Sequence, residues 1–167
     1  DPFFRRNHAT LGEDPLLNAR LAVEIIRGIQ SQGVMAQVKH LAAYNGQDNV
    51  YIDERTLREI YLPAFEAAVK AGVASVMCAY NRVNGQPCCA TDLLLCQVLR
   101  NEWGFKGFVT SDWGALPGPE ALVKGADLEM PGRPILGRPG PFFDEPLRQA
   151  IREGRIPAGA VDEAVRR

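Results

Sequence analysis

Asp112 stands at the end of a short apolar run, Gly107 to Ser111, with Ser111 before it and Trp113 after it. A carboxylate placed there can attack an electrophilic carbon or stabilise a cation developing in front of it, and the indole offers the flat apolar face that sugar rings lie against. The plain alternative is an Asp that caps the following turn. Lys39 and His40 close another apolar run, and both donate hydrogen bonds, which suits a hydroxyl-rich ligand. The plain alternative is a solvated lysine beside a core histidine, and a rival chemistry is a Schiff-base amine at Lys39. Met77 and Tyr80 lie three apart around the end of a third run and face opposite ways unless the strand has already ended, with Tyr80 the candidate cleft residue and Met77 the candidate core one. Asp127 and Glu129 lie on a fourth. Glu129 with Asp112 would make the carboxylate pair of a glycosidase, but Met130-Pro131-Gly132 reads as a turn that Glu129 can cap.

The elements that carry these residues alternate. Asp14-Pro15 opens a helix in which Leu17, Leu21, Ile25 and Ile29 recur every four residues until Gly33. Val34 to Val38 is expected to be a buried strand that Lys39-His40 follows directly. A helix from Asp53, interrupted or restarted at Pro63 and closed by Gly72, leads to strand Val73 to Ala79, followed by Tyr80-Asn81-Arg82. Thr91 to Trp103 is the next helix, and strand Gly107 to Ser111 delivers Asp112. A short helical stretch at Glu120 to Lys124 precedes a weaker strand, Ala126 to Met130. A Pro- and Gly-rich stretch from Pro131 to Pro141 separates it from helix Glu145 to Glu153 and a final helix opening at Pro157. Four strand-helix units imply an α/β fold with parallel strands and helices outside. Polar residues at four successive strand ends are how a (β/α)8 barrel of TIM type builds its active face. No Gly-x-Gly-x-x-Gly or Walker loop follows any strand, which argues against a nucleotide-binding sheet. A closed barrel takes ~250 residues, so four units in 167 residues are expected to be the second half of one, an incomplete domain. Open sheet edges would then expose apolar surface and favour association.

Composition narrows the classes. With 19 basic and 20 acidic residues the net charge is -1, and no basic stripe of a nucleic-acid binder is present. No apolar run approaches the ~20 residues of a bilayer span, so a soluble chain without membrane contact is expected. Asp1-Pro2-Phe3-Phe4 carries neither Met nor a signal peptide, and no compartment is assigned. His8 and His40 are the only histidines, so neither a zinc site nor a cofactor is expected. Cys78, Cys88, Cys89 and Cys96 lack metal-ligand spacing; thiols are favoured, with a bridge from the Cys88-Cys89 pair to Cys96 as the alternative.

Together these runs resemble glycoside hydrolase family 3, in its β-glucosidase and β-xylosidase branch. The stretches that carry the resemblance are Gly12-Glu13-Asp14-Pro15, Val38-Lys39-His40, Asp53-Glu54-Arg55-Thr56-Leu57-Arg58-Glu59-Ile60-Tyr61-Leu62-Pro63 and Ser75-Val76-Met77-Cys78-Ala79-Tyr80-Asn81. Val83-Asn84-Gly85, Trp103-Gly104-Phe105, Ser111-Asp112-Trp113-Gly114 and Asp127-Leu128-Glu129-Met130-Pro131-Gly132 continue it in order. The sequence departs from the family at Phe3-Phe4-Arg5, Ala9, Gly46-Gln47-Asp48 and Leu116-Pro117-Gly118-Pro119.

The resemblance implies a retaining two-step hydrolysis with Asp112 as nucleophile, acting on terminal β-D-glucosyl or β-D-xylosyl residues of a β-linked oligosaccharide or an aryl or alkyl β-glycoside. It implies that Lys39, His40 and Arg6 bind hydroxyls of the sugar being cleaved. It also implies that Tyr80 lies beside the nucleophile and that Met77 and Trp113 are walls of the pocket. It further implies that residues 1–167 are the C-terminal part of the barrel domain. The other barrel half and a following α/β sandwich domain, which carries the acid/base glutamate, then lie outside them. The rival expectations are an inactive barrel remnant and a Schiff-base lyase that uses Lys39.

Overall fold

The computed structural model describes His8 and residues 10–46 and 48–167. Helix α1 (Pro15–Gln30) starts as its sequence dictates: the Asp14 carboxylate accepts from Leu17 N at 2.7 Å, and Pro15 sits where no N–H is needed. Its apolar stripe does not face the core. Leu17, Leu21, Ile25 and Ile29 are 39–48% exposed, and the face turned inward carries Ile26 instead. Spacing defines a stripe, but the neighbouring element decides which side of it is covered.

Strand β1 (Gln37–Leu41) lies three residues further on than expected, because Val34 and Met35 after the left-handed turn at Gly33 are exposed. Lys39 and His40 are therefore inside the strand, at a bulge between Lys39 and Leu41, and not beyond its end. Next come β2 (Asn49–Val50) and α2 (Glu54–Thr56), capped by Asp53 at 2.9 Å from Thr56 N. The helix then widens into a π-helical turn over Leu57–Tyr61 and restarts as α3 (Pro63–Lys70). Pro63 has no N–H for the preceding turn, which explains the restart.

Strand β3 (Ser75–Cys78) is followed by the small hairpin β4 (Arg82–Val83) and β5 (Gln86–Pro87). A wide π-helical segment, Asp92–Glu102, leads to β6 (Phe108–Ser111), and α4 (Glu145–Arg152) and α5 (Gly159–Arg166) end the chain. The main sheet is parallel in the order β1-β3-β6, and β3, buried along its whole length, is its centre. Lys39, Met77 and Thr110 share one register row, and Leu41, Cys78 and Ser111 the next. The expected fourth strand, Ala126 to Met130, is reduced to one parallel bridge, Thr110 to Leu128. A second sheet, β2-β4-β5, was not legible in the sequence. Its strands are two residues long, too short for any periodicity to mark.

The core lies between the sheet and the helices, with Val76, Val109, Leu94, Leu95 and Leu99 fully enclosed. A smaller cluster of Leu122, Leu147, Ala150, Ile156 and Ala164 joins α4 and α5. No helix among the described residues is long and apolar enough to cross a membrane. Cys78 and Cys89 form a disulfide, which corrects the expectation of thiols or a bridge to Cys96. The β4–β5 hairpin brings Cys89 back to the end of β3, with Cα atoms 5.1 Å apart, whereas Cys96 faces the Lys124 carbonyl.

Asp127 ties the sheet to both flanking segments. Its Oδ2 accepts from Arg100 Nη2 at 2.6 Å and Val109 N at 2.7 Å, and Oδ1 accepts from Arg167 at 2.8 Å. With its side chain 1% exposed, removing it strands the Arg100 charge. Asp127→Ala is expected to cost about 3–5 kcal/mol in urea denaturation, against less than about 1 kcal/mol for Glu24→Ala, whose partner Arg27 is exposed. Equal costs would show that Asp127 is no tie at all.

Candidate active site

Because β1, β3 and β6 run parallel, their C-terminal ends lie on one edge of the sheet, and three polar residues of distant sequence converge there. Asp112 follows β6 directly and is 6% exposed. Its Oδ1 accepts from the N–H of Trp113 at 2.8 Å. His40 Nε2, from β1, stands 3.2 Å from Oδ2. That approach is off the line of a good hydrogen bond, so the enclosed Oδ2 keeps lone-pair capacity that no aligned donor uses. The Tyr80 hydroxyl, two residues past β3, faces the same carboxylate.

Burial pushes the Asp112 carboxyl up, but His40, the Trp113 N–H and Tyr80 outweigh it and hold the group below the ordinary aspartate value of 3.8. Burial likewise raises the Tyr80 phenol, and the Asp112 charge beside it adds to the effect, to about 12. Tyr80 is thus a proton-bearing donor toward an anion at neutral pH. The anion's loop is itself pinned: Ser111 N–H donates to Leu128 O, Met130 N–H to Ser111 Oγ, and Gly114 N–H to Met130 O, all at 2.9 Å.

Of the residues singled out from sequence, Asp112, His40, Tyr80 and the Trp113 backbone meet in this cluster. The Trp113 side chain is 46% exposed, and Met77 is buried on β3 in the row of Lys39. Lys39 is exposed and lines, with His40, Tyr44, Tyr61 and Phe65, a cavity of about 370 Å³ beside α1 and α3. Asp112 does not line that cavity; His40 borders both. Arg6 lies outside the described residues. Glu129 is 7% exposed, and its Oε2 accepts from the N–H groups of Phe142 and Phe143 at 2.7 and 2.6 Å. Like Asp127 it is tied into backbone rather than open to a ligand. Among the described residues no three His, Cys, Asp or Glu side chains gather as metal ligands would.

Two neighbours were missed from sequence. Tyr44 packs edge-on against His40 at 5.3 Å and against Tyr80 at 5.9 Å. Arg138 lies over the Tyr80 ring, 4.6 Å from its centroid. Both line a second cavity of about 270 Å³ with Asp48, Tyr80 and Asn81. Neither belongs to a run with a readable period, and Arg138 sits in the Pro- and Gly-rich stretch that offers no local signal.

All of residues 1–167 match the glycosyl hydrolase family 3 N terminal domain. The chain belongs to that family. It is 47% identical over 171 residues to a beta-glucosidase of Rhizobium radiobacter, an alignment covering 97% of this chain and 20% of that protein. It superposes on DesR, a beta-glucosidase from Streptomyces venezuelae solved with D-glucose, with TM-score 0.85 and 49% identity over 95% of this chain and 22% of that one. Beta-glucosidase 3B from Thermotoga neapolitana, solved with alpha-D-glucose, gives TM-score 0.92 and 42% identity over 99% and 24%. The family 3 chain described here thus spans about a fifth of the length of the curated relatives it matches.

The carboxylate's charge balance is open to direct test. His40→Ala removes the largest influence favouring the anion while burial remains, so the Asp112 ionisation midpoint is expected to rise, and Tyr80→Phe to raise it less. Carboxyl ¹³C NMR titration reads both, and a midpoint unmoved by His40→Ala would refute this account.

Proposed function

We propose that this chain carries the nucleophile of a retaining β-glycosidase acting on terminal β-D-glucosyl or β-D-xylosyl residues. The Asp112 carboxylate attacks the anomeric carbon as the bond to the leaving oxygen breaks, forming a glycosyl-Asp112 ester. Water then attacks the same carbon, a base takes its proton, and the sugar leaves with Asp112 restored. The observation that carries this reading is the enclosed, under-bonded Oδ2 of an aspartate kept ionised by its neighbours. Lys39, His40 and Arg6 hold the sugar hydroxyls, Tyr80 donates beside the nucleophile, and Met77 and Trp113 wall the pocket. A β-linked oligosaccharide or an aryl or alkyl β-glycoside is the substrate class.

The acid that protonates the leaving oxygen is not Glu129 or Asp127, because both are committed to backbone and arginine partners. This reading assigns it to a glutamate on a following α/β sandwich domain, outside residues 1–167. General acid help is worth ~10²- to 10⁴-fold, so these residues alone are expected to turn over natural glycosides very poorly. The parallel sheet, with β1 and Leu128 at its two ends and the uncovered stripe of α1, supports the second half of a (β/α)8 barrel. A Schiff-base role for Lys39 gains no support, since Lys39 is an exposed residue and not a buried, desolvated one.

A 2-fluoro β-glucoside with an activated leaving group needs little acid and breaks down slowly once attached. In the full natural chain, intact-mass analysis is expected to show one adduct, mapping to Asp112 and absent from Asp112→Ala. Its formation should hold from neutral pH down past 3.8, since the nucleophile protonates only as pH falls through a midpoint below that value. Absence of any adduct sinks the assignment.

A further inference from the structure

We propose that Arg138 is a positioning residue, which holds the Tyr80 phenol against Asp112 by stacking its guanidinium on the ring; this deepens, and rests on, the glycosidase reading. Residues 131–141 leave the site after Met130 and return over it. Their return is fixed where Glu129 accepts from Phe142 and Phe143, and Arg138 N–H donates to Ile135 O at 3.1 Å. The Arg138 side chain crosses the chain at Gly114, two residues after the nucleophile. A Cβ at Gly114 would meet Arg138 Cδ at 2.9 Å and Ile135 Cδ1 at 3.1 Å, and its φ of +64° is one that glycine tolerates. Glycine there is the gap through which the guanidinium reaches Tyr80, 4.6 Å from the ring centroid.

Two things follow from that contact. The cation is drawn to the π-face of the ring, and Arg138 has no ion pair among the described residues to draw it elsewhere. The ring, touched also by Tyr44, is then held with its hydroxyl toward the nucleophile, and the nearby positive charge makes that hydroxyl a better donor to an anion. Arg138 touches neither sugar nor reacting atom in this scheme and acts only through Tyr80.

The test measures Asp112 labelling by the 2-fluoro glucoside in the full natural chain, separating the saturating rate from the half-saturating concentration. Arg138→Met is expected to lower the saturating rate about two- to fivefold, the scale of one exposed cation–π contact, with half-saturation unchanged. Arg138→Lys should restore part of it. In a Tyr80→Phe background Arg138→Met should cost nothing further, because the hydroxyl through which it acts is gone. An unchanged rate, or the same loss in both backgrounds, overturns the inference while leaving the glycosidase reading intact. A parent that takes no label sinks that reading instead. The contact is then judged by nitration with tetranitromethane, using exposed Tyr51 as internal reference. Faster nitration of Tyr80 in Arg138→Met supports the stacking, and an equal rate overturns it.

Discussion

Parallel pairing about β3 is the constraint on which everything else rests. Ser75 to Cys78 bond on both sides, to β1 and to β6, so the three strands must run the same way and end on the same edge. Residues 39–40, 80 and 112 are far apart in the chain, and only this alignment makes them neighbours. Its register is specified by burial. Val38, Val76 and Val109 form one row on the helix-facing side, with Val76 and Val109 fully enclosed, so a slip of one residue would turn valines to the other face.

Three acidic side chains within eighteen residues are all nearly buried, yet they have different tasks because they have different partners. Asp127 is saturated by two arginines and one backbone N–H, which makes it a structural tie. Glu129 is bound by two consecutive backbone N–H groups and fixes the return of the 131–141 segment. Asp112 has one well-placed N–H, an off-line imidazole and the facing Tyr80 hydroxyl, yet no aligned donor meets Oδ2, so one oxygen stays under-used while the charge is still favoured. A buried carboxylate with every lone pair committed is structure; one with capacity left over is the group that can still react.

The surroundings of Asp112 explain how such a group is tolerated. Desolvation alone would push its carboxyl up, and His40 from β1, Tyr80 just past β3 and the Trp113 N–H together outweigh it. The cluster around Tyr80 extends the same logic outward. Tyr44 and Arg138 touch a phenol that in turn faces the carboxylate, so a loop and a Pro- and Gly-rich segment, neither of which carries a catalytic signature, both supply neighbours to the site.

By itself the sequence determined the local events: the Asp14 and Asp53 caps, the restart at Pro63, the alternation of helix with strand, and the ordered motifs whose resemblance led to family 3. These depend on neighbours a few residues apart, where dihedral preference and hydrogen-bond reach decide the matter. Tertiary structure alone decided the rest. It selected which side of α1 is covered, moved β1 onto Lys39-His40, shrank the fourth strand to a bridge and joined Cys78 to Cys89. It also assigned Glu129 to backbone and brought Arg138 to Tyr80. Each of these is a contact across many residues of chain, and residue type and spacing carry no record of which distant partner the packed sheet will present.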